Sequence, residues 1–145
     1  MGSGDASSSC HRKRYSFLTM SLIEHFCVSV PHGVVFLMDF AGGEIPLKML
    51  GRLVAATSTC IAIGTRHGAE GETRFNINHG GAAVPGERKR AVVTDAVILT
   101  PTRELSLTLT DGTRVFSCAT ADDRARVTVR FNNRSEPDEI DICIY

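Results

Sequence analysis

The last third of the chain alternates apolar and polar residues almost without interruption, and no other feature restricts the fold as tightly. Leu105, Leu107 and Leu109 fall on one side of a pleated strand, with Ser106, Thr108 and Thr110 on the other. Past Asp111 and Gly112 the pattern returns. Val127, Val129 and Phe131 alternate with Arg126, Thr128 and Arg130, and Ile140, Ile142 and Ile144 with Asp141, Cys143 and Tyr145. A period of two puts successive side chains on opposite faces of a sheet, whereas a helix would scatter the same positions around its circumference. The pattern predicts strands with one face on a core and one in water.

Read from its start, the chain offers further strands at Leu22–Val30, Val34–Phe40, Leu53–Arg66, Glu72–Asn78, Val92–Leu99 and Thr113–Cys118. About eight or nine short strands at regular spacing predict an all-β fold, a single antiparallel β-sandwich. The segments 53–66 and 72–78 are expected to form a hairpin across His67–Gly71. Asp111-Gly112 is expected to make a type I′ turn. Leu47, Leu50, Leu53 and Val54 stand at helical spacing, which allows a short helical turn within 45–56. The expected core comprises Phe26, Val28, Phe36, Ile61, Ile63, Phe75, Ile77, Val97, Leu105, Leu107, Leu109, Phe116, Val127, Val129, Phe131, Ile140, Ile142 and Ile144.

At 145 residues and 15.7 kDa the chain suits one domain, taken as a β-sandwich over 22–145 behind a leader, residues 1–21, that is expected to be disordered. Residues 1–14 are rich in Gly, Ser and charge and are expected to be disordered. His11 to Arg14 precede an apolar stretch as in a secretory signal, but Glu24 and His25 break that stretch and no small-residue cleavage site follows. No run approaches the roughly 20 apolar residues of a membrane helix. Cys10, Cys27, Cys60, Cys118 and Cys143 form an odd set with no close pair. They are read as reduced thiols in a cytoplasmic protein.

His25, His32, His67 and His79 are isolated, without the His-x-His of a cupin-like metal site. The glycine pairs at 42–43 and 80–81 lack the Lys-Ser or helix start of a phosphate loop, and no G-x-S-x-G elbow occurs. No cofactor or metal is expected. With no Trp and two Tyr, the chain is poor in platforms for sugars or bases, and its 16 basic residues balance 16 acidic ones. Nucleic acid is therefore not the expected partner. Arg88–Arg90 and Arg124, Arg126, Arg130 and Arg134 read as solvated surface.

The acidic residues are the candidate site. Asp122 and Asp123 share one turn, and Glu136, Asp138, Glu139 and Asp141 surround the last connection and strand. Two readings apply: charge that keeps an edge strand from pairing with other chains, or a docking surface for a basic protein. An alternative function, small-molecule binding or catalysis, would use His79, His32 and Cys27 near the loop 79–90.

The order F-C-V-S-V-P-H-G-V-V-F at Phe26–Phe36, the glycine-bounded hairpin to Phe75, the apolar strand Val92–Leu99 and E-L-S-L-T-L-T-D-G-T-R-V-F-S-C at Glu104–Cys118 resemble the competence protein J family. These are small cytoplasmic inhibitors of a DNA-entry nuclease. The resemblance implies a stoichiometric inhibitor or immunity-type protein that blocks a nuclease active site and has no catalysis of its own. The chain departs from a nucleic-acid mimic in its neutral charge.

Overall fold

The computed structural model describes residues 13–16, 22–49, 52–79 and 92–145. It holds eleven strands: β1 (Lys13–Ser16), β2 (Leu22–Val28), β3 (Val34–Asp39), β4 (Val54–Ala56), β5 (Cys60–Gly64), β6 (Thr73–His79), β7 (Val92–Leu99), β8 (Glu104–Thr108), β9 (Arg114–Ala119), β10 (Arg124–Phe131) and β11 (Glu139–Ile144). They form a six-stranded sheet, β1-β2-β6-β11-β10-β7, and a five-stranded sheet, β4-β5-β3-β8-β9. The two pack as a β-sandwich. Phe26 of the first sheet stacks on its neighbour Phe75 at 5.5 Å and on Phe116 of the second sheet at 6.3 Å.

The period-two segments behave as their pattern requires. Leu105 and Leu107 on β8, Val127, Val129 and Phe131 on β10, and Ile140, Ile142 and Ile144 on β11 all face one core. Elsewhere the pairing departs from the expectation. β5 and β6 lie in different sheets, so the expected hairpin does not exist; the connection 65–72 carries the chain from one sheet to the other. The stretch 53–66 instead folds back on itself as β4 and β5. The pairing of β11 with β6 is parallel, the one exception among the described pairs to an otherwise antiparallel pattern. Most of the expected leader, 1–21, lies outside the described residues, but the backbone of Lys13–Ser16 pairs with Leu22–His25 as β1. No helix forms at 44–49 or 52–56.

Three expected core residues are corrected. On β3 it is Val35, Leu37 and Asp39 that point inward, leaving Phe36 half-buried on the outer face. Val97 is 54% exposed, because β7 turns its odd-numbered residues outward and its even-numbered Ile98 to the core. Val28 is only partly buried. The Asp111-Gly112 turn is also of a different type. Gly112 donates to the Leu109 carbonyl at 3.0 Å and Leu109 to that of Thr113 at 2.9 Å, closing a three-residue loop. Gly112 alone takes a positive φ, 89°, as in a type I turn with a glycine bulge, where a type I′ turn would need Asp111 there too.

Candidate partner-binding site

The six acidic candidates separate into two groups. Asp122 and Asp123 lie in the turn before β10, while Glu136, Asp138, Glu139 and Asp141 lie at and beyond its other end. β10 has eight residues and spans about 26 Å at about 3.3 Å per residue. Asp122 and Asp123 serve their own corner. The Asp122 carbonyl accepts from the Thr100 and Thr120 hydroxyls at 3.1 and 2.8 Å, and the Asp123 carbonyl from the Thr100 N–H at 2.7 Å.

The second group is held by a hydrogen-bonded frame. Asn76 sits on β6, directly opposite His25 of β2 and Asp141 of β11. Its amide nitrogen donates to Glu139 Oε2 at 3.0 Å and to Asp141 Oδ1 at 2.8 Å, which uses both of its protons. Its oxygen therefore faces His25 Nδ1 at 2.7 Å and Arg74 Nε at 3.3 Å. That orientation puts the His25 proton on Nδ1. Asp138 is fixed differently: Asn132 Nδ2 donates to its Oδ1 at 2.6 Å, and Arg66 Nη1 lies 3.8 Å from Oδ2. Glu136 is exposed, and its backbone N–H donates to Asn133 Oδ1 at 2.8 Å. The result is two carboxylates on one face of the central strand β11, with two more in the adjoining loop.

β11 lies between β6 and β10, so its charges guard no edge. The edge-protection reading of Glu139 and Asp141 is thereby overturned. His25, Asn76 and Arg74 were not among the candidates from sequence. Their connection to Asp141 crosses 51 and 65 positions of chain, and only their outward register on neighbouring strands signals it.

The residues of the alternative site do not come together. His79 closes β6 beside Leu22, while His32 follows the other end of β2. His32 is exposed, with its backbone in the left-handed region at φ 62°, and its ring stands 6.5 Å from that of His67. Cys27 is disulfide-bonded, which corrects the expectation of five reduced thiols and removes it as a nucleophile. Residues 80–90 of the loop lie outside the described residues.

His79 points into the sandwich, its Nε2 3.7 Å from Glu24 Oε2 and its ring 5.4 Å from that of Phe116. Cys118, on the inner face of β9, feels this carboxylate too. Burial first, then the charges of Glu24 and Glu104, push its thiol up to about 12. Cys60 is pushed up to about 11 by burial. Burial thus holds these interior thiols protonated, the reverse of an activated nucleophile. No group of three or more metal-ligating side chains occurs among the described residues.

A shallow groove of about 270 Å³ crosses the outer face of the five-stranded sheet, floored by Phe36, Met38, Ser106 and Thr108. Arg114 flanks it, its guanidinium 3.8 Å above the Phe40 ring. Asp39 contributes no free carboxylate: its oxygens accept from the Ala41 and Thr102 N–H groups and the Thr102 hydroxyl at 2.8–3.0 Å.

No family model matches the chain, and no curated protein matches it. Its fold is similar to two solved structures. One is ComJ, inhibitor of the DNA degrading activity of NucA, from Bacillus subtilis, with a TM-score of 0.64 and 8% identity over 92% of this chain and 97% of that one. The other is described as crocagin biosynthetic gene J, with a TM-score of 0.57 and 11% identity over 86% of this chain and 97% of that one. The resemblance implied by the strand pattern is present in the fold; at these identities the likeness is one of fold alone.

Proposed function

We propose that this chain is a non-enzymatic protein-interaction module, an inhibitor-type protein that blocks a nuclease or similar toxin by presenting Glu136, Asp138, Glu139 and Asp141 to a basic surface. The observation that carries the reading is the Asn76 amide of β6 bridging Glu139 and Asp141 on the neighbouring central strand β11. Holding two carboxylates together costs repulsion. Edge protection does not account for charges on a strand flanked on both sides, and a docking surface does. Their rigid support favours recognition, because little side-chain freedom remains to be lost on binding. The fold similarity to ComJ supports the same role, since that protein inhibits a DNA-degrading enzyme. Overall neutrality is no obstacle, because a local patch sets the field a partner meets.

The test is affinity capture from the source organism with the unaltered chain and with the Glu139→Gln, Asp141→Asn variant. A basic protein retained by the first and lost by the second, whose DNA cleavage stops at about one equivalent of the chain, is the expected outcome. Inhibition that survives the double substitution, or no protein retained by either bait, overturns the proposal.

A further inference from the structure

We propose a second interaction surface: the outer edge of β7, as the docking site for an extended acidic segment of another protein that joins the six-stranded sheet as an added strand. Among the described residues β7 ends that sheet and pairs only with β10. The Thr100 N–H turns toward the β10 side, donating to the Asp123 carbonyl, and the Leu99 N–H turns away, donating to the Ser58 carbonyl in the β4–β5 turn. Alternation along an antiparallel strand then puts the N–H and C=O groups of Val93, Asp95 and Val97 on the outer edge. No backbone hydrogen bond joins them to a described residue. Free edges in soluble proteins are shortened, bulged or charged. This one is eight residues long and reads VVTDAVIL. Its one charge, Asp95, accepts the Thr128 hydroxyl. Val97 and Leu99 are left exposed on its outer face, with Tyr145 two strands away.

The chemistry of the occupant follows from β10. Arg124, Arg126 and Arg130 alternate along the outer face of β10, the first two opposite Leu99 and Val97. Among the described residues none of the three is in an ion pair, and Arg126 lies 5.9 Å over the Tyr145 ring. A strand added beside β7 would lie about 9.6 Å from β10, two strand spacings, within joint reach of an arginine and a glutamate. Its outward residues should therefore be acidic, and its other face apolar, over the half-buried Thr94 and Ala96. The like charge of two arginine rows disfavours a second copy of this chain.

The probe is the blocked heptapeptide acetyl-TVEVEVT-amide, read by amide hydrogen exchange on the full chain. Exchange at Val93, Asp95 and Val97 should slow about tenfold or more, with Thr94 and Ala96 unaffected because β10 already protects them. Val97→Pro removes only an outward N–H and should abolish the effect. Arg126→Glu, which leaves the backbone intact, should weaken binding about tenfold and keeps the test decisive if the proline variant does not fold. No protection at millimolar peptide, equal protection by acetyl-TVKVKVT-amide, or protection that rises with protein concentration in the absence of peptide would each overturn the proposal, the last by showing self-pairing.

Discussion

Glu24 and His25 are neighbours on β2, yet each joins a histidine–acid grouping on a different face of the same sheet. Inside, Glu24 meets His79 beneath Phe116, with both side chains almost fully buried. Outside, His25 meets Asn76, and through it Glu139 and Asp141, all of them partly exposed. The residue types are nearly the same, and surroundings decide what each can do. The inner pair is buried, and its carboxylate adds to the burial that keeps the Cys118 thiol protonated. Solvent still reaches the outer group, where an amide fixes two charges in place. Chemical resemblance to an active site is thus strongest where access is worst.

The largest test of this contrast adds a carboxylate to the core without a partner. Leu107→Asp or Val129→Asp should leave the domain unfolded, because a buried unpaired charge costs several kcal/mol against a typical stability of about 5–15. Circular dichroism melts should show no cooperative transition. Glu24 lies at comparable depth with His79 Nε2 3.7 Å from its carboxylate. His79→Leu should therefore cost about 3 kcal/mol in urea unfolding. The double substitution Glu24→Leu, His79→Phe should recover most of that loss. A single substitution as harmless as the double one would show that the inner pair is not electrostatically coupled.

The contrast also explains what could be read in advance. Leu105, Leu107, Val127, Val129, Ile140 and Ile142 declare their inward face by local alternation, and the structure buries all six. Period two marks two faces but does not name the inner one when both are apolar. Phe36 and Val97 were lost for that reason, in VVFLMD of β3 and VVTDAVIL of β7. KRYS of β1 carries no apolar alternation and gave no strand signal. Which strands become neighbours is a long-range outcome: the parallel placement of β11 beside β6 has no local signature, and it alone brings Asp141 to Asn76. The acids were visible; their frame was not.

A smaller effect separates buried from exposed titration. The folded thiols of Cys60 and Cys118 lie at about 11 and about 12, above their ordinary value of 9.0, since burial disfavours the thiolate. Their contribution to stability is complete below pH 9 and is lost as pH rises toward the folded values, because the unfolded chain releases these protons first. Urea midpoints should fall between about pH 9 and pH 12, and Cys118→Ala should flatten part of that fall, whatever it costs at neutral pH. In the native state both thiols should resist a thiol-specific reagent at pH 8 and react on unfolding.

The smallest expected change in stability belongs to the outer acids, and it discriminates most between their uses. Glu136→Gln should shift unfolding by less than about 0.5 kcal/mol, since its carboxylate is exposed. Asp141→Asn should cost about 1 kcal/mol, because the Asn76 amide loses a charged acceptor. Neither substitution should promote self-association, since β11 is flanked on both sides. If these residues meet a basic partner, the pair of substitutions should slow association several-fold and flatten its dependence on salt while dissociation changes less. Stopped-flow rates at two ionic strengths, with light scattering on the same samples, read both quantities. An unchanged on-rate combined with a destabilisation of several kcal/mol would make the outer frame a structural device like the inner pair, and the contrast between the two faces would fail.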